Sequence, residues 1–178
     1  MTLYLVRHAM PAVDPAADPA TWALSPVGRA AARELVQNLP ADALLLASDE
    51  PKAWQTLAPD GERQVLRDRR LGEVRRTEEF SEEFRARRQR YVSGEALPDW
   101  EPQPSVARRF AAAVADAVRA ADRRDVVLAS HGMAMTVWLT GAVGLADPGE
   151  FWAGLSFPDL LRVDPETREI TREQLPPR

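Results

Sequence analysis

The chain has 178 residues, 45% of them hydrophobic, and carries 23 Lys and Arg against 27 Asp and Glu, a formal net charge of −4. That length suits one domain, here taken as residues 1–178, and the acidic balance gives the surface no general attraction for nucleic acid or an anionic membrane. The absence of cysteine excludes disulfides and thiolate metal sites, and no apolar run approaches the roughly 20 residues of a membrane-spanning helix. No basic-plus-apolar leader opens the chain, so a cytoplasmic location is expected.

Leu3-Tyr4-Leu5-Val6 is a short apolar run of β-formers and predicts a buried strand over residues 2–6, ending abruptly in Arg7-His8. Residues 10–21 contain Pro11, Pro15 and Pro19 and read as a loop. Ser25-Pro26 predicts an N-cap followed by proline at the first helical position, and Val27, Ala31, Leu35 and Leu39 carry the helix to Pro40. A strand over 43–47 follows, with Ser48 read as the cap of a short helix over 51–57. Residues 64–66 read as a weak strand and 68–73 as a loop.

The charged stretch 78–91 is helix-compatible and 92–104 is proline-rich. Residues 74–104 are therefore either an insertion that caps a site or a solvated surface helix with its connection. Ser105 starts a helix to about residue 121, a strand covers 125–130, and a helix runs from Met133 to Val143, ended by Gly144. Phe151-Trp152 reads as a connection, and 160–163 with 169–172 as a hairpin. Strands alternating with helices predict an α/β fold: a three-layer α/β/α sandwich, mostly parallel, with antiparallel additions near the C-terminus.

In open α/β sheets ligands bind beyond the carboxyl ends of the strands. Three predicted strand ends carry suitable groups: Arg7-His8, Ser48 with Lys52, and His131, the second of only two histidines. An unprotonated imidazole attacks phosphorus without a separate base, guanidinium and ammonium bind phosphate oxygens, and backbone N–H groups at a helix start complete an anion site. Phosphoryl transfer needs such a cationic cluster around one nucleophile, together with an acid for the leaving oxygen. The competing reading of the two histidines, a zinc site completed by a carboxylate, is disfavoured by the adjacent Arg7. The arginines at 67–76 and 85–90 either recognise further anionic groups or, the preferred reading, pair with neighbouring glutamates.

Several segments, in order, resemble the histidine phosphatase superfamily, the phosphoglycerate-mutase-like enzymes. Leu5-Val6-Arg7-His8-Ala9 is similar to its Arg-His-Gly signature, and Leu24-Ser25-Pro26-Val27-Gly28 to its Leu-Thr-x-x-Gly helix start. Ala47-Ser48-Asp49-Glu50-Pro51-Lys52-Ala53-Trp54-Gln55-Thr56 resembles its Ser-x-x-x-Arg-Ala-x-Gln-Thr segment. Leu71-Gly72-Glu73 resembles Leu-x-Glu, and Ser130-His131-Gly132 matches Ser-His-Gly. The resemblance implies a phosphatase acting on a small phosphorylated substrate or phosphoprotein, with no metal and no cofactor. It implies that His8 is phosphorylated transiently, that Arg7, Lys52 and His131 hold the phosphoryl group, and that Glu73 is the proton donor, with Glu78, Glu79, Glu82 and Glu83 as alternatives.

The chain departs from the pattern mildly at Ala9 and Met10, where the family has glycine and often a polar residue, and at three further places. Lys52 stands for the usual arginine, Asp14 lies near the place of a phosphate-contacting asparagine, and Val74-Arg75-Arg76-Thr77 replaces the usual continuation after Glu73. These departures leave a second reading open: a catalytically weak module of the same fold that binds a phospho-ligand or phosphoprotein.

Overall fold

The structure, a computed structural model, describes residues 1–77, 83–164 and 166–173. Its strands and helices alternate from the start: β1 (Leu3–Arg7), α1 (Pro26–Gln37), β2 (Leu44–Ala47), α2 (Pro51–Leu57) and β3 (Leu66–Arg67). After these come α3 (Phe84–Val92), α4 (Gln103–Ala120), β4 (Val126–Ser130), α5 (Gly132–Val143), α6 (Pro148–Ala153), β5 (Asp159–Asp164) and β6 (Glu169–Arg172). Short 3-10 turns cover Pro19–Thr21 and Arg69–Leu71.

One sheet runs in the order β3-β2-β4-β1-β5-β6. β4 pairs in parallel with β1 and β2, β2 pairs in parallel with β3, and β5 and β6 add antiparallel pairs beside β1. The sheet is covered on both faces because each central strand is apolar in both phases of its period-two alternation. Val126 and Leu128 of β4 and Leu5 of β1 pack with Phe110 of α4 and Met135 and Leu139 of α5. Val127, Ala129 and Val6 face the other way, against Leu35 of α1 and Ala53 and Leu57 of α2.

The N-terminal start signal of α1 holds: Ser25 is the N-cap, its side chain accepts from the Gly28 N–H, and Pro26 opens the helix. α4 begins at Gln103, two residues earlier than Ser105, because the first turn tolerates Pro104, whose missing N–H is an orphan there anyway. Ser48 does not cap α2. The N-cap position is Glu50, and the buried Ser48 hydroxyl instead accepts from the Glu50 N–H at 3.2 Å. Residues 151–152 are not a plain connection but part of α6, capped by Asp147. Within 74–104, α3 takes up the described end of the charged stretch, Phe84–Val92, and residues 78–82 of that stretch lie outside the described residues.

The 74–104 segment closes on itself at its base, where the Glu101 N–H donates to the Arg75 carbonyl at 2.7 Å and Arg76 bridges to Trp100. Val74, Tyr91, Val92 and Trp100 join the core around Phe110, and α3 packs on α6. Among the described residues, no helix is long and apolar enough to cross a membrane.

Candidate active site

The register places the site. Arg7 is aligned with Ser130 and Ala47 with Ala129, so β1, β4 and β2 end at one level. The chain then leaves each strand through a hydrogen bond to β4: the His8 N–H donates to the Ser130 carbonyl and the Ser48 N–H to the Ala129 carbonyl, both at 3.0 Å. His8 and His131 consequently lie side by side, with ring centroids 5.2 Å apart.

His8 is buried, and its Nδ1 lies 2.8 Å from the Ala9 carbonyl, which only accepts. The hydrogen is therefore on Nδ1, and Nε2 keeps its lone pair. Burial, followed by the neighbouring His131, Lys52 and Arg7, pushes the imidazole well below its ordinary range, so the ring is neutral. The loop beyond it is pinned by Thr56, whose hydroxyl accepts from the Ala9 N–H at 2.9 Å and donates to the Lys52 carbonyl at 2.7 Å.

Arg7 lies across the mouth of β1. One guanidinium nitrogen donates to the Leu155 carbonyl at 2.7 Å, and its plane rests 3.5 Å from the centre of the Phe157 ring. Burial lowers it to about 10, a fall resisted by Glu73 and Asp159 and aided by Arg85 and Arg88, so it remains a cation. Gly132 makes the close approach: a Cβ there would stand 3.1 Å from Trp152 Nε1 and 3.3 Å from Arg7 Nε. His131 stands at the N-cap of α5, where burial above all pushes it down to about 3, Lys52, Arg76 and Arg109 add to the fall, and Glu73 opposes it.

Buried polar groups are nearly always hydrogen-bonded. Among the described residues, Arg7 Nε and both ring nitrogens of His131 are fully buried without a hydrogen-bond partner. Three such atoms around the His8 ring mark a place suited to a polar ligand.

Glu73 reaches the same helix start. One carboxylate oxygen accepts from Val74 and Ala134 N–H at 3.0 Å each, and the other from Met133 N–H at 3.4 Å. Burial pushes this carboxyl up, but His131, Arg76 and the Val74 and Ala134 N–H groups outweigh it and hold it at about 2. Without a bound anion Glu73 is a carboxylate, not an acid.

Lys52 is buried at the start of α2, its ammonium donating to the Pro19 carbonyl at 2.6 Å and to Glu50 at 2.5 Å. Asp14 makes none of the contacts to this ammonium. It is exposed and closes a turn in the proline-rich loop, accepting from the Ala16 N–H. Among the described residues, no group of three or more His, Cys, Asp or Glu is arranged to hold a metal ion.

The family model of the histidine phosphatase superfamily (branch 1) matches residues 3–163. The chain belongs to the histidine phosphatase superfamily. Among solved structures, a mycobacterial glucosyl-3-phosphoglycerate phosphatase in complex with VO3 superposes with a TM-score of 0.71 at 22% identity, covering 97% of each chain. A phosphoserine phosphatase variant from Entamoeba histolytica, with one histidine replaced by alanine and phosphoserine bound, gives 0.72 at 15% identity, covering 97% of this chain and 95% of that one. No curated protein matches the chain in sequence.

Other superfamily motif residues turn out to hold the site up. Gly28 lets α1 dock on the loop after His8, since a Cβ there would meet the Met10 carbonyl oxygen at 2.0 Å. Gln55 accepts from the Leu24 N–H at 2.8 Å. Two further contributors were not legible in the sequence. Arg109 donates to the carbonyls of Arg70, Gly72 and Glu73 at 2.6 to 3.0 Å while paired with buried Glu101, and so clamps the turn that presents Glu73. Glu50 reaches Lys52, His131 and the Glu73 N–H, and its only sequence signal is its place two residues before Lys52.

Proposed function

We propose that the protein is a metal-independent phosphatase that hydrolyses a small phosphate monoester through a phosphohistidine at His8. The observation that carries this reading is a neutral imidazole, anchored through Nδ1, facing buried donors that have no partner. The phosphatases among the structurally similar proteins support it.

Nε2 of His8 attacks phosphorus, and the bond from phosphorus to the ester oxygen breaks. Arg7, Lys52 and His131 hold the phosphoryl oxygens, stabilising charge where the transferring group needs it. A dianionic phosphoryl group beside Glu73 raises that carboxyl, because like charges disfavour the ionised form, so Glu73 takes up a proton on substrate entry and gives it to the departing oxygen. Water then attacks the phosphohistidine, Glu73 accepts its proton, and phosphate leaves with His8 restored. Residues 74–104 act as the cap of this site. Arg85 and Arg88 of α3 lie close enough to influence Arg7, whereas Arg70, Arg75 and Arg90 pair with Asp68, Glu101 and Glu95.

The test is phosphate release from an aryl phosphate with chelator present, in wild type and His8→Ala. Turnover falling by about a thousandfold or more in the variant, with an acid-labile phosphoprotein trapped only in wild type, is the expected result. Equal turnover in both proteins overturns it, and phosphate binding without turnover in wild type favours the binding module.

A further inference from the structure

Lys52 is the chain's only lysine, beside 22 arginines, and it is buried at the candidate site. An ammonium on a flexible stem lacks the fork that orients a guanidinium, so something else must aim it. Glu50 is placed to do this. One of its carboxylate oxygens lies 2.5 Å from Lys52 Nζ. The other accepts from the Glu73 N–H at 2.9 Å and lies 3.2 Å from His131 Nε2, without closing a hydrogen bond to that ring. The side chain is itself largely shielded, and the Ser48 hydroxyl holds its backbone N–H.

We propose that Glu50 is a positioning residue of the phosphoryl pocket, holding the Lys52 ammonium beside His131 with one N–H left for a phosphoryl oxygen. The count of donors supports this. An ammonium has three hydrogens; the Pro19 carbonyl and Glu50 take two, which leaves one. Glu50 also serves as the counter-ion that a buried ammonium requires, since an unpaired buried charge is strongly unfavourable. Because the same carboxylate is tied to the Glu73 N–H, it sets the distance between the α2 start and the turn carrying Glu73. The superfamily's usual arginine orients itself; here the same task is divided between a carboxylate and a lysine.

This inference rests on the phosphoryl-pocket reading above, and its test separates the two. Lysine-selective 15N labelling gives one side-chain signal, because the chain has one lysine. Inorganic phosphate is titrated into wild type, Glu50→Gln, Lys52→Ala and the double variant. Lys52 Nζ is followed in the lysine-containing proteins, and aryl phosphate kinetics are run alongside, with a thermal melt to establish folding. Expected are a phosphate-dependent Nζ shift in wild type that is lost in Glu50→Gln, and a phosphate affinity about tenfold weaker in that variant, in line with loss of one charge-assisted contact. Also expected is a double variant no worse than Lys52→Ala alone, as for two residues that act as a unit.

Tighter phosphate binding in a folded Glu50→Gln overturns the proposal, because Glu50 would then be an internal anion competing for the pocket. Effects that multiply in the double variant overturn it as well. His8-dependent turnover that is unchanged in Glu50→Gln defeats this proposal and leaves the phosphatase intact. A phosphate-induced Nζ shift that depends on Glu50, in a protein without turnover, upholds it and defeats the phosphatase.

Discussion

Two ionic clusters lie within one turn of chain from each other and are built on opposite rules. Around Glu101, the carboxylate takes Arg75 and Arg109, and Arg109 spends its remaining donors on the carbonyls of Arg70, Gly72 and Glu73. Around His8, the polar groups are buried, yet among the described residues Arg7 Nε and both nitrogens of His131 have no partner. A closed network rigidifies, while an open one costs stability and is tolerated where a ligand completes it. The first cluster is scaffold and the second is the candidate site, and Glu73 belongs to both through its carbonyl and its carboxylate.

The comparison is broken hardest by Arg109→Ala. Removing one partner leaves Glu101 buried and undercompensated, so a loss of about 3–5 kcal/mol in urea unfolding is expected, together with weaker turnover through a loosened Glu73. A stability change under 1 kcal/mol would mean, on the scale of exposed pairs, that the cluster is not the clamp described. The open cluster responds in the opposite sense to a ligand: phosphate at a hundred times its dissociation constant adds about 2.7 kcal/mol to wild type, read as a melting shift. Phosphate that leaves the melt unmoved at that occupancy would show that the unpartnered donors do not receive it.

Acid separates the clusters. His131 titrates near 3 folded and 6.5 unfolded, so across that window the unfolded chain holds a proton that the folded chain lacks. Stability therefore falls as pH drops from 6.5 toward 3, by up to about 1.4 kcal/mol per pH unit for this group, and His8 acts in the same direction. Glu101 is depressed from 4.5, so its contribution is lost only as pH falls below 4.5. Denaturant midpoints between pH 7 and 5 should fall in wild type and fall less steeply in His131→Asn, where only His8 keeps this dependence. An unchanged slope in that variant would mean the ring is not held neutral by burial.

Much of this was legible along the chain. Short apolar runs ending in Arg7-His8 and in Ser130-His131 announced the strand ends, and Ser25-Pro26 announced a helix start that the structure keeps. The sequence failed where a residue's partner is remote. Arg109 lies 36 residues from the Glu73 carbonyl it binds, and nothing local distinguishes it from neighbouring arginines on an amphipathic helix. Glu50 received no reading of its own from the sequence, although its contacts span Lys52, Glu73 and His131. Ser48 looked like a cap because caps are recognised by residue type, while its actual bond is set by how β2 hands over to α2.

The sequence by itself determined the α/β class, its layered arrangement and which strand ends carry candidate chemistry, because continuous apolar runs and their abrupt termination are local properties. Only the tertiary structure decided the charge states and the division of labour. Burial makes both histidines neutral, two N–H groups at the start of α5 together with the Val74 N–H hold Glu73 as an anion, and Glu50 is joined to the one lysine. Those outcomes depend on desolvation and on distances between segments far apart in the chain, quantities that exist only once the strands are in register.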